Sequence, residues 1–191
     1  MKINSITIDA CVWINYLDKK PNFVDSIQRM FDVCLEKNIK MFSSSRVFNY
    51  DTTIQDREQV DEIRKIMDRL GVENTPSPFS FGFSNDPKNV GSAFNDGDFF
   101  SINGSSEDEL IFQDVVGQRP QSFVQYGKNL ANHISDYDAL EQHYLQGYDA
   151  FITYDMKGVF HVKKREDYKK KLNLNVLSPD ELLNLICNSV N

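Results

Sequence analysis

Ser5-Ile6-Thr7-Ile8 is a short β-favouring run that stops on a carboxylate, Asp9, and passes at once into the apolar stretch Ala10-Cys11-Val12-Trp13-Ile14. A hydrophobic run that ends on aspartate is common, so its meaning depends on the rest of the chain. In an open parallel α/β sheet, ligands bind in the crevice outside the carboxyl ends of the strands, and an acid at that edge is placed for chemistry. Asp9 therefore reads in two ways, as the N-cap of the helix that follows or as a functional acid. Other acids returning to the same edge would favour the second.

The rest of the chain alternates helices with short strands. Residues 23–37 carry Phe23, Ile27, Met30, Phe31, Cys34 and Leu35 at helical intervals, with Asn38 to end the helix. Ile39 to Phe42 predicts a strand, and Ser43-Ser44-Ser45 offers N-caps for a helix over 46–53 that contains Asp51. A further helix is predicted over 57–70, with Val60, Ile63, Met67 and Leu70 on one stripe and Gly71 as its C-terminal cap. Residues 135–146 predict a helix closed by Gly147, which leads into the β-rich run Ala150 to Asp155, again ending on an acid. Asn175-Val176-Leu177 is a last strand, and Ser178-Pro179-Asp180-Glu181 combines an N-cap, an N1 proline and a capping-box glutamate ahead of a final helix. Strands alternating with helices favour a three-layer α/β/α sandwich around a mainly parallel central sheet.

Between about residues 75 and 130 this alternation breaks down, and the chain reads as one domain, 1–191, carrying an insertion there. Phe79, Phe81 and Phe83 alternate with small residues, and turn signals flank Phe99 to Ile102, which suggests a strand or flap and a small hairpin. Those aromatics read either as extra core or as a stacking platform for exposed bases. Residues 110–116 could form a short helix or strand.

At 191 residues the chain is long enough to bury a real core. It shows no apolar run long enough for a membrane span and no secretory leader pattern, so no membrane partner is expected. Three widely spaced cysteines argue against a disulfide framework and fit a reducing cytoplasm. A net charge of −7 argues against a general nucleic-acid coat protein, though not against an enzyme that holds cations.

Taken together, Asp9 and Asp155 each end an apolar run, Asp136 opens the helix before the second of them, and Asp51 lies on a helix after the second strand. With these residues the chain resembles the PIN-domain family of metal-dependent ribonucleases. The likeness is carried by Ile6-Thr7-Ile8-Asp9, by Ser45 to Asp51, by Asp136 in a helix ending at Gly147, and by Phe151-Ile152-Thr153-Tyr154-Asp155. It covers roughly residues 3–71 and 130–190. The resemblance implies that Asp9, Asp136 and Asp155 ligate Mg2+ or Mn2+, with Asp51 direct or through water, and that the four form the catalytic set. Asp51 is one methylene shorter than the glutamate often found at its place in the family. Asp138 competes with Asp136, since both lie in Ser135-Asp136-Tyr137-Asp138.

Four converging carboxylates suit such chemistry because hard divalent cations prefer oxygen ligands. Without a cation, two carboxylates about 4 Å apart repel by roughly 4 kcal/mol at an effective dielectric near 20. Lys157, Lys163, Lys164 and Arg165, with Lys169, Lys170 and Lys171, form a basic run that either guides an RNA backbone or is a solvated surface. Thr153 reads as a β-branched strand residue or as a hydrogen-bond donor to a ligand, and Cys11 as packing. His133, His143 and His161 lack metal-ligand spacing. The expected activity is endoribonucleolytic hydrolysis of single-stranded or structured RNA. By resemblance an antitoxin protein is an expected partner, and homodimerisation is a further expectation. The alternatives are a PIN-like scaffold with a degenerate acid cluster, and a phosphatase using Asp9 as nucleophile, disfavoured because Cys11 stands where a second acid belongs.

Overall fold

The computed structural model describes residues 2–44, 57–75, 107–120 and 130–188. In chain order the elements are β1 (Ser5–Ile8), α1 (Ala10–Leu17), α2 (Val24–Glu36), β2 (Lys40–Ser43), α3 (Arg57–Leu70) and β3 (Glu73–Asn74). They continue with α4 (Glu107–Val116), α5 (Leu130–Leu145), β4 (Ala150–Ile152), a 3-10 turn (Gly158–Phe160), α6 (Val162–Leu172), β5 (Asn175–Leu177) and α7 (Pro179–Asn188).

The strands form one five-stranded sheet in the order β3-β2-β1-β4-β5, and every pairing is parallel. Parallel neighbours need long crossovers, which is why a helix lies between each pair of consecutive strands. The strand order reverses at β1. The chain leaves β1 for β2 and β3 on one side, then returns to lay β4 on the other, so β1 and β4 flank the switch point where such sheets open a crevice.

Period-two alternation sends strand residues to opposite faces. Ile6, Ile8, Ala150 and Ile152 pack with α1, α2, α3 and α7, among Trp13, Phe31, Ile63 and Leu182. Phe151 and Val176 point the other way, into a core with Phe112 of α4, Tyr137 and Leu140 of α5, and Tyr168 of α6. Helices therefore cover both faces of an α/β sheet.

Several local expectations are met. Gly71 and Gly147 adopt φ of +65° and +66° just past α3 and α5, and Asn38 takes φ 54° after α2. At α7 the capping box is complete, with Ser178 N donating to Glu181 Oε2 at 2.7 Å and Glu181 N donating to Ser178 Oγ at 3.1 Å.

Other elements differ from their sequence reading. α5 begins at Leu130 instead of 135, so Asp136 sits in its second turn and does not open the helix. No glycine or proline interrupts Leu130 to Ile134, and helix formation simply runs back past the Ser135 cap signal. β4 stops at Ile152 because the next backbone donors turn to side chains. Thr153 N still reaches Leu177 O, but Tyr154 N donates to Cys11 Sγ and Asp155 N to Thr153 Oγ1. Within the 75–130 stretch, α4 buries Phe112 and Val116 in the second core. The helix over 46–53 with Asp51, the Ser45 cap, the Phe79–Phe83 run and the hairpin near Phe99 lie outside the described residues. No helix among the described residues is long and apolar enough to cross a membrane.

Phe151 is fully buried, stacked 5.1 Å from Phe160 and edge-on to His143 at 5.5 Å. Phe151→Ala should destabilise the fold by about 3–5 kcal/mol, read as a lower midpoint in urea unfolding.

Candidate active site

Asp9 meets its N-cap reading with one carboxylate oxygen and reaches across to the end of β4 with the other. Its backbone is extended (φ −75°, ψ 157°), and Oδ1 accepts from Ala10 N at 2.8 Å, which caps α1. Oδ2 accepts from Thr153 Oγ1 at 2.8 Å and from Cys11 Sγ at 3.1 Å. The residue is only 2% exposed, and its own N–H continues the ladder to Ile152 O at 3.0 Å. The carboxylate is thus held at the carboxyl end of β1, beside the end of β4.

Thr153 is the hub of this edge. Its hydroxyl donates to Asp9 and accepts from Asp155 N at 2.9 Å, so the loop carrying one acid is hung from the side chain that grips the other. The strand-packing reading of Thr153 falls short for this reason: residue 153 lies just past the strand, where its hydroxyl replaces the ladder. Asp155 is half-buried, and its Oδ1 accepts from Lys157 N at 2.8 Å, a local turn of the kind aspartate favours. Cys11 is likewise more than packing. Its sulfur touches Asp9, Thr153 Oγ1 at 3.3 Å and Tyr154 N at 3.3 Å. Burial and the Asp9 charge push its thiol well up, which keeps it a protonated donor. Only its position two residues after Asp9 pointed to it in the sequence.

α5 brings the next acids. Its C-terminal end lies at the amino edge, where Asp149 accepts from Asn4 N at 2.8 Å and Ser5 N at 3.0 Å. Its N-terminal half therefore lies toward the carboxyl edge. His143 Nδ1, 2.8 Å from Thr7 Oγ1, marks the stripe of α5 that faces the sheet. Asp136 precedes His143 by about two turns and shares that stripe, and it is 7% exposed. Along α5 it stands roughly 10 Å beyond His143, on the side away from the amino edge. Asp138 projects elsewhere: Arg119 clamps it with Nε to Oδ1 at 2.6 Å and Nη2 to Oδ2 at 2.7 Å.

Among the described residues no three of His, Cys, Asp and Glu come together as a group that could hold a metal ion, and Asp51 lies outside them. Carboxylate oxygens are the donors a hard cation prefers, but Asp9, Asp136 and Asp155 do not stand together as such a group. Ser44 Oγ, buried just past β2, and Ser135 Oγ, next to Asp136, have no hydrogen-bond partner among the described residues, which adds uncommitted oxygen donors at this edge.

Of the expected cationic residues, Lys157, Lys163 and Lys164 are exposed at or before the start of α6. His161 caps that helix, its Nδ1 accepting from Lys163 N at 3.2 Å. Arg165 differs, with a side chain only 10% exposed. Lys169, Lys170 and Lys171 lie exposed in the last turn, where the helix dipole favours cations.

Thr153→Val removes the donor to Asp9 and the acceptor of Asp155 N while keeping side-chain shape. We expect a loss of about 1–3 kcal/mol in urea unfolding. A second test concerns Glu141 of α5, whose carboxyl is raised from 4.5 to about 7 by burial first, then by Asp138 and Glu109. Between these values the unfolded chain releases a proton that the folded one retains, so stability falls as pH rises through the window, by about 3 kcal/mol. Glu141→Gln should remove that fall when unfolding free energies at pH 4.5 and 7.5 are compared. His143, buried and lowered from 6.5 to about 3, contributes an opposite slope common to both proteins. The chain matches no protein-family model, no curated protein and no solved structure, which leaves the chemistry of the carboxyl edge as the ground for its function.

Proposed function

We propose that the chain is a PIN-like, Mg2+- or Mn2+-dependent endoribonuclease acting on single-stranded or looped RNA. The observation that carries this reading is the Asp9–Thr153–Asp155 chain of hydrogen bonds at the switch point of a parallel sheet. Asp9, Asp155 and Asp136 would hold the ion once drawn closer together than they stand in this structure, with Asp51 as the fourth acid. Bound there, a divalent cation supplies Lewis-acid stabilisation of a phosphate and a nucleophile from water at neutral pH.

The protein's own part is orientation. Thr153 and Cys11 fix Oδ2 of Asp9, Ala10 N fixes Oδ1, and Lys157 N fixes Asp155, so little reorganisation is left for the moment of reaction. Exposed Lys157, Lys163 and Lys164 lie on the segment that follows Asp155, where they can neutralise phosphates of a strand lying across the edge. In a chain of net charge −7 this attraction is local. An antitoxin-like protein that covers the acidic edge, or a second copy of the chain, fits the same proposal as a partner.

A second reading, a PIN-like binding module without catalysis, draws on the absence of a three-acid metal group among the described residues. Cleavage of a mixed-sequence single-stranded RNA with Mn2+ or Mg2+ separates the two. Asp9→Asn suits the comparison because asparagine still caps α1 while the carboxylate charge is gone. Metal-dependent cutting by the wild type, abolished in the folded variant, supports the nuclease. Absence of cutting, together with a melting temperature indifferent to both metals, would favour the module.

A further inference from the structure

Arg165 stands in the basic run, yet its guanidinium is turned inward. Nε donates to Phe160 O at 3.0 Å, Nη2 to Asp155 O at 3.1 Å, and Nη1 lies 3.3 Å from Glu181 Oε2. Nη2 also lies 3.2 Å from Met156 Sδ. All three nitrogens are engaged within the protein, and the side chain is 10% exposed.

The segment it grips needs such support. After Ile152 the backbone has left the sheet ladder, and the N–H groups of Tyr154, Asp155 and Lys157 are satisfied by side chains. Arg165 binds the carbonyls at both ends of the turn, residues 155 and 160. Its carboxylate partner is anchored in turn, since the same Oε2 of Glu181 accepts from Ser178 N in the cap of α7. A planar fork with donors in fixed directions can span three acceptors in this way, whereas the single ammonium of a lysine cannot.

We propose that Arg165 is a positioning residue, which holds the turn after β4 so that Asp155 stays hung by its N–H from Thr153, the partner of Asp9, and is not one of the phosphate-binding cations. The catalytic duty of Asp155 rests on the nuclease reading above; the grip on the turn does not.

The test compares Arg165→Ala with wild type and with the double variant Lys163→Ala/Lys164→Ala. Amide exchange at Asp155 and Lys157 should speed up by about tenfold or more in Arg165→Ala, with β1 and β4 unchanged. Unchanged exchange in the turn would overturn the proposal. With RNA and Mn2+, kcat should fall by about a hundredfold at constant KM, and the salt dependence of RNA binding should match wild type. In the double lysine variant the salt slope should instead shrink, by about 0.7 for each lost phosphate contact to a single strand. A similar shrinkage in Arg165→Ala, with kcat retained, would make Arg165 a phosphate ligand and sink the proposal. Should Arg165→Ala not fold, Arg165→Lys keeps the charge without the fork and is expected to change exchange and kcat in the same direction. If the wild type cuts no RNA, the nuclease reading fails, and the exchange measurement still decides whether Arg165 holds the turn.

Discussion

The hydrogen bond from Thr153 Oγ1 to Asp9 Oδ2 is the interaction on which the rest of this edge depends. Parallel strands that stop after three or four residues leave backbone donors without a ladder, and a buried donor without a partner is destabilising. Here the end of β1 is closed by a carboxylate and the end of β4 by a hydroxyl, each satisfying the other. Asp9 then caps α1, and Asp155 N completes the hydroxyl, so one polar network terminates two strands and starts one helix. Substituting any member leaves a neighbour unpaired, which ties the stability of the edge to the chemistry of its carboxylates.

The two faces of the sheet are unequal in polarity. Under α1, α2, α3 and α7 the core is almost wholly apolar. Under α5 it holds His143 against Thr7, together with Glu141, while Asp138 on the same helix pairs nearer the surface with Arg119, which follows α4. Buried titratable groups in this layer make stability pH-sensitive between about pH 3 and 7. The histidine is kept neutral by burial, and the glutamate is kept partly protonated near neutral pH by burial and by neighbouring acids.

Much of the architecture was legible in the residues, because it rests on local signals. The stripe of α3 and the Ser178–Glu181 capping box concern residues a few positions apart, and both stand where they were expected. The β3 strand was missed, since two residues, Glu73 and Asn74, carry no periodicity. The start of α5 was misplaced because Ser135 looks like a cap in isolation, and nothing in the sequence shows that the helix has already formed. Asp9 and Asp155 stood out in the sequence because each follows an apolar run, whereas the sheet-facing place of Asp136 on α5 did not. The site was not legible in Thr153, Cys11 and Arg165. Their roles are set by partners far along the chain or by the direction in which a side chain leaves its helix, neither of which spacing encodes.

Residue 153 lies 144 positions from residue 9 in the chain, although their side chains touch. A chain emerging at roughly 5–20 residues per second exposes its first acid on the order of ten seconds before the hydroxyl that holds it has been made. Until then Asp9 has its local cap but not its cross-strand partner, and β1 lacks one of its two neighbours. The edge therefore matures late in synthesis, and its long-range pairing belongs to the slow part of folding. That ordering delays completion of the Asp9–Thr153 edge until most of the chain is present.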